Sequence, residues 1–129
     1  MSTITWQFQA AIPGGPAFTL NQPSIAVQAY DVATATIGAG ATGVAVNVQP
    51  SSTTGDVILV VVSSDRYDAG LTYTVDGSTD VHALDAPHVL LGSGAVGFMN
   101  AGAPPQKLTF DSTLLTDANV QVVVGRKNP

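Results

Sequence analysis

The sequence contains no cysteine and no glutamate, and lysine occurs only twice. Without cysteine the chain forms no disulfide, no thiolate zinc site and no thiol-dependent active site. Glutamate and lysine usually cover exposed helix faces, so their scarcity leaves little material for such helices. Valine and threonine are abundant, and both favour strands. The composition therefore predicts an all-β protein.

Charged residues are scarce as well. Asp, Glu, Lys and Arg make up 10% of the chain, whereas about 25% is typical of soluble domains. Between residues 1 and 55 the only ionised side chain is Asp31. A surface so poor in charge favours association, so we expect a homo-oligomer whose subunits meet through low-charge faces. The alternative is a monomer coated with Thr, Ser, Asn and Gln.

Net charge and hydropathy exclude two classes of partner. The formal charge of −5 argues against nucleic acid, because binding to phosphates requires a basic face. The longest aliphatic run, VILVVV at 57–62, is far shorter than the roughly 20 residues that span a bilayer. No secretory signal is visible, since the first thirty residues lack Lys and Arg and IPGGP interrupts any apolar core. We therefore expect a chain made in the cytoplasm, without a membrane span.

Apolar and polar residues alternate with a period of two along much of the chain, which is typical of half-buried strands. Turn signals rich in Gly, Pro, Asp and Asn separate these stretches at short intervals. The spacing predicts about nine or ten short strands in one domain, arranged as an antiparallel β-sandwich or jelly roll. That domain covers residues 1–129. The stretch GSGAVG at 92–97 is assigned to a strand setting, and no segment shows a capped helical period.

Two β-branched runs, VILVVV at 57–62 and VQVVV at 120–124, depart from strict alternation. Nearly continuous apolar strands are covered on both faces, by a second sheet or by another subunit, so these two should be central. Each follows a short strand and a polar loop, as VAVNV precedes TTGDVILVVV and KLTF precedes LTDANVQVVV. This similarity between the two stretches is compatible with two similar sheet halves, although unrelated hairpins also resemble one another.

The stretch VDGSTDVHALDAPHVL at 75–90 holds both histidines of the chain. We expect 71–75, 81–84 and 89–91 to be successive antiparallel strands, with loops that alternate between the two ends of a sheet. Asp76 and Asp80 then lie about 17 Å from the loops at the other end. Pro87 removes a ladder donor, which places His82 in a strand and His88 in a separate turn.

The other loop end is the candidate ligand site, formed by Asp65, Tyr67, Asp68, Asp85 and His88. A tyrosine ring stacks on a sugar while carboxylates accept hydrogen bonds from its hydroxyls, so a carbohydrate-binding module is the alternative function. The chain's remaining aromatic residues in apolar alternation are expected in the core: Trp6, Phe8, Phe18, Phe98 and Phe110.

The sequence offers no complete catalytic or metal motif. A shared zinc site would need a third imidazole or a thiolate, and neither exists. Calcium suits the Asp-rich loops better, but DGSTD at 76–80 is foremost a hairpin signal and SSDRYD at 63–68 lacks EF-hand spacing. No G-x-S-x-G elbow occurs, and GAGATG at 38–43 lacks the lysine of a phosphate-binding loop. We therefore expect no enzyme, no catalytic residue, no metal and no cofactor.

A non-catalytic structural or assembly protein is the function that these features favour. The bias toward Val, Thr, Ala and Gly, together with the missing Cys and Glu, resembles small virion components such as tail or capsid-decorating subunits. That resemblance implies copies of one sandwich packed in a closed ring or a lattice. Fold and composition alone do not establish such a role.

Overall fold

The computed structural model describes residues 2–21, 25–48, 56–99 and 105–127. In chain order their elements are β1 (Ser2–Ile4), β2 (Gln7–Ala11), β3 (Ala17–Asn21), β4 (Ile25–Val27), β5 (Ala29–Ile37), β6 (Val44–Asn47), β7 (Val57–Ser64), β8 (Leu71–Val75), β9 (His82–Ala83), β10 (His88–Leu91), α1 (Ser93–Val96), β11 (Lys107–Ser112) and β12 (Ala118–Arg126).

Two four-stranded antiparallel sheets pack face to face. Sheet I has the order β10-β7-β12-β5, and sheet II has the order β6-β11-β8-β9. Their inward-facing side chains fill one core, in which Phe110 and Tyr73 are the largest fully buried residues. The predicted all-β sandwich is confirmed.

The two valine-rich runs form the two central strands of sheet I, β7 and β12, as predicted. Val60, Val62 and Val122 point inward and are fully buried. The alternate residues Val61 and Val123 face outward and are half-buried, because neighbouring strands flank them on both sides. The cover expected over their outward face is incomplete in the single chain, because Val32 and Val89 in the same row are about half exposed.

The repeated sequence pattern has a structural counterpart. The first unit passes from β6 in sheet II to β7 in sheet I, and the second likewise passes from β11 in sheet II to β12 in sheet I. Strand β6 pairs antiparallel with β11, and β7 pairs antiparallel with β12. The two similar units are therefore neighbours in both sheets and meet along the middle of the sandwich.

The N-terminal segment forms a separate arm. Strands β2 and β3 make a two-stranded hairpin, and β1 pairs with β4 at its base. Only Gln28 separates β4 from β5, and its N–H donates to the carbonyl of Arg126. The arm thus emerges directly from the β5 edge of sheet I.

The structure corrects the predicted path through residues 82–97. Strands β8 and β9 pair in sheet II as expected, but β10 pairs with β7 in sheet I. The chain crosses between sheets around Pro87, which cannot donate a ladder hydrogen bond. The next expected strand, 92–97, is instead the single turn α1, entered through Gly92 at a φ of 88°. No helix in the described ranges is long and apolar enough to cross a membrane.

The aromatic residues divide between core and surface more evenly than predicted. Phe110 is fully buried, as expected. Phe8 and Phe98 were expected in the core but are 51% and 85% exposed, because one lies on the arm and the other follows α1 at the rim. Trp6 is half-buried, and the side chain of Phe18 lies outside what the structure describes. Tyr73 is 2% exposed and belongs to the core.

Candidate functional site

Asp65 opens the loop after β7 and is held by Asn119 at the start of β12. Its two carboxylate oxygens accept hydrogen bonds from the Asn119 backbone N–H at 2.8 Å and from its side-chain amide at 3.0 Å. These bonds stabilise the ionised form and hold the pKa of Asp65 below its usual value of 3.8. The carboxylate joins two central strands of sheet I.

Tyr67 and Asp68 also make bonds within their own loop. The Tyr67 hydroxyl accepts a hydrogen bond from the Ser64 N–H, and Asp68 Oδ1 accepts one from the Gly70 N–H. Together with Asp65 and Arg66, and with residues 113–116 on the facing loop, they line an open cleft of about 620 Å³. Threonine hydroxyls, a tyrosine ring and carboxylates therefore share one surface depression.

Asp85 lies beside this loop, because the Asp68 N–H donates to the carbonyl of Leu84 at 3.1 Å. His88 does not join them. It starts β10 in sheet I, and its ring extends between the sheets toward Tyr73. Of the predicted ligand residues, Asp65, Tyr67 and Asp68 line one cleft, Asp85 borders their loop, and His88 faces a different cavity.

The two histidines converge on Tyr73, contrary to the expected separation. The Tyr73 ring centroid lies 5.4 Å from that of His82 and 5.6 Å from that of His88. Together with Leu90, Phe98 and Met99 these rings line a cavity of about 200 Å³ between the sheets. The convergence arises because the crossover at Pro87 returns the chain to the opposite sheet, facing the strand that it has left.

The DGSTD stretch forms a hairpin turn, as the Asp-Gly signal indicated. Asp76 and Gly77 have φ values of 52° and 79°, which is the conformation that an Asp-Gly turn favours. Asp76 Oδ1 accepts hydrogen bonds from the backbone N–H groups of Gln106 and Lys107. Among the described residues, no group of three or more His, Cys, Asp or Glu side chains could hold a metal.

The outward-pointing residues of the sheet I strands include no Asp, Glu, Lys or Arg, and we call this surface the valine face. At one end it borders the Asp65 carboxylate, which accepts a hydrogen bond from the side chain of Asn119. Four valines lie directly opposite one another across the four strands of sheet I, in the order Val32, Val123, Val61 and Val89. The two outer members, Val32 and Val89, are 49% and 55% exposed. The other accessible members of the face are Tyr30, Thr34, Thr36, Ser63, Leu91, Asn119 and Gln121. Leu59 and Gly125 also point outward, but both are buried beside Val27 at the base of the arm.

The strands of sheet I contain only two of the chain's Asp, Lys and Arg residues, Asp31 and Arg126. Both are excluded from the valine face, because they occupy positions of the opposite parity on β5 and β12. They form a partly buried ion pair with each other. The sequence indicated low-charge faces in general, but it could not identify this one, because strand order determines which residues lie side by side.

Comparison of the chain with models of protein families, with curated proteins and with solved structures found no match.

Proposed function

We propose that this protein is a non-catalytic structural subunit that assembles with identical copies through the valine face. The observation that carries the proposal is the row of four directly opposed valines on a sheet face without Asp, Glu, Lys or Arg. The centre of a protein interface is depleted in charge in the same way. A repeated subunit of this kind also suits the resemblance to small virion components.

The face favours a protein partner over plain solvent for two reasons. Burial of the exposed Val32 and Val89 side chains is favourable, by about 25 cal/mol for each Å² of apolar surface removed from water. The polar groups around them are hydroxyls and amides, which lose little on desolvation when a partner supplies hydrogen bonds. Burial of the face does not desolvate Asp31 and Arg126, because both point to the opposite side of sheet I, where they pair with each other.

Light scattering at micromolar concentration tests the proposal on the intact chain. We expect an oligomer for the parent and a tenfold or greater loss of affinity for Val32→Lys, since about 1.4 kcal/mol corresponds to tenfold. Val81→Lys is the matched control, because Val81 is 63% exposed and lies outside the strands. A parent chain that remains a monomer would contradict the proposal, and so would equal loss in both variants.

Carbohydrate binding at the cleft beside β7 is the second candidate function. The observation in its favour is that Tyr67, which is 38% exposed, shares the cleft with the Thr113 and Thr116 side chains. It ranks second because Asp65 and Asp68, the predicted sugar acceptors, already accept hydrogen bonds from the protein.

A glycan array measured with and without calcium tests this second candidate. Binding to one class of sugar that disappears in Tyr67→Ala and persists in Tyr30→Ala would support it. Tyr30 is a suitable control because it is also exposed and lies on the valine face, on a different sheet surface. A blank array in both conditions would contradict carbohydrate binding and leave the assembly proposal unaffected.

A further inference from the structure

The β2–β3 hairpin projects from the sandwich. Within the described residues its strands pair only with each other. Its tip, from Ile12 to Ala17, is exposed throughout. An isolated two-stranded hairpin is at best marginally stable in water, so a surface to pack against would stabilise it.

One face of the hairpin is apolar. Phe8 pairs directly with Leu20, so the two side chains share a face, and they are 51% and 54% exposed. The opposite face carries Gln7 and the directly paired Gln9 and Thr19. The hairpin is therefore amphipathic, with its apolar side accessible.

The hairpin and the valine face match in length. A five-residue strand is about 17 Å long, and the outermost of four neighbouring strands lie roughly 14 Å apart. A hairpin laid across the strands of sheet I would cover the row from Val32 to Val89 from end to end. Packing of strands at near right angles is an established arrangement for two sheets.

The two surfaces also match in charge. No Asp, Glu, Lys or Arg occurs in residues 2–30, which include the whole arm, and none lies on the valine face.

The chain's own arm covers the outward side of sheet I only at Leu59 and Gly125, where Val27 packs, and its hairpin leaves the valine row open. Leu20 of the hairpin and Val32 and Val89 of the face are all about half exposed in the same chain, so its hairpin does not cover its own face. The arm leaves the sandwich at the β5 edge of sheet I, because only Gln28 separates β4 from β5.

We infer that the β2–β3 hairpin of one copy lies across the valine face of another, with Leu20 packed on the valine row. This inference rests on the proposed function and names the element that occupies the assembly face. The contact joins two different elements, arm and face. Two copies that exchange arms reciprocally form a two-fold dimer, whereas a head-to-tail contact forms a ring or an open chain.

Light scattering on matched hairpin variants is the first test. Leu20→Asn introduces a polar residue on the apolar face, and Thr19→Asn introduces the same residue on the opposite face. We expect a tenfold or greater loss of affinity for the first and an unchanged affinity for the second. Both positions are exposed and lie outside the core, so unfolding curves of the two variants should match that of the parent.

Crosslinking of mixed chains is the second test, and the absence of native cysteine makes it specific. One chain carries Leu20→Cys and a tagged second chain carries Val61→Cys, and a short bis-maleimide joins thiols only when they are close. We expect the mixed crosslinked dimer. Replacing Leu20→Cys by Thr19→Cys should reduce its yield several-fold.

The outcomes separate this inference from the proposed function. A parent that remains a monomer overturns both. An oligomer that is disrupted by Val32→Lys but not by Leu20→Asn, with no mixed crosslink, overturns the arm contact and leaves assembly through the face intact. A dominant product joining two Val61→Cys chains would show face-to-face packing of two sandwiches, which also overturns the arm contact.

Discussion

The phenolic oxygen of Tyr73 lies 2.6 Å from Nδ1 of His88, which ties β8 of sheet II to β10 of sheet I. Burial raises the pKa of Tyr73 well above its usual value of 10.0, so the phenol keeps its proton in the folded chain. The direction of the bond follows the tautomer of His88, because a neutral hydroxyl can donate to an unprotonated Nδ1 or accept from a protonated one. The bond crosses the core at the open edge of the sandwich.

Tyr73→Phe should destabilise the fold by about 1 kcal/mol, because it removes one net hydrogen bond and leaves Nδ1 of His88 without its partner. Tyr67→Phe is the control, since that hydroxyl is on an exposed loop where water replaces it. Urea unfolding measures both. A loss in Tyr67→Phe as large as that in Tyr73→Phe would contradict the cross-sheet role of the bond.

Alkaline pH should weaken the fold through the same residue. Below pH 10.0 the Tyr73 phenol is neutral in both folded and unfolded chains, and its stabilising contribution is fully present. Above that pH the unfolded chain loses the proton while the folded chain retains it, so stability falls by up to about 1.4 kcal/mol per pH unit from this group.

Unfolding free energies measured from pH 8 to 11 test this prediction. The decline should be shallower in Tyr73→Phe, whereas Tyr30→Phe, at a residue that is 56% exposed, should decline like the parent. Identical slopes in all three chains would show that Tyr73 is not the group responsible.

Sequence periodicity predicted a sandwich of strands and its central strands, but it could not predict where the chain passes from one sheet to the other. The valine runs identified β7 and β12 as central because continuous apolar residues require cover on both faces. The alternation around His82 and His88 indicated strands, but a period of two is the same whichever sheet a strand joins. The meeting of both rings at Tyr73 depends on the change of sheet near Pro87, which local sequence does not specify.

The N-terminal arm shows a second limit of prediction from sequence periodicity. Phe8 lies in apolar alternation, and its assignment to the core assumed that a sheet of the same chain covers it. Exposure depends on what packs above a strand, which periodicity does not report. The aspartates were more predictable, since Asp-Gly at Asp76 specifies its turn through local conformation.

Asp76→Ala should cost about 1–3 kcal/mol, because two backbone N–H groups, those of Gln106 and Lys107, lose their shared acceptor. Alanine also tolerates a φ of 52° poorly. Asp76→Asn should lose much less, since its amide oxygen accepts the same bonds and Asn adopts positive φ readily. Thermal or urea unfolding measures the difference. Equal losses in the two variants would show that neither the acceptor nor the backbone conformation matters there.

Gly125 determines how closely the base of the arm packs on sheet I. A Cβ at this position would lie 3.2 Å from Cγ1 of Val27 and 3.3 Å from Cβ of Leu59. Gly125→Val should therefore destabilise the fold by about 1–3 kcal/mol and displace β4. Adding Val27→Ala should recover part of that loss, because it removes the contacting methyl groups.

Gly94→Val is the control, since nothing lies within 4 Å of a Cβ there. Urea unfolding measures the energies, and hydrogen exchange of the Val27 amide reports the displacement. Equal losses at Gly125 and Gly94, or no recovery in the double variant, would contradict close packing of the arm's base on β12.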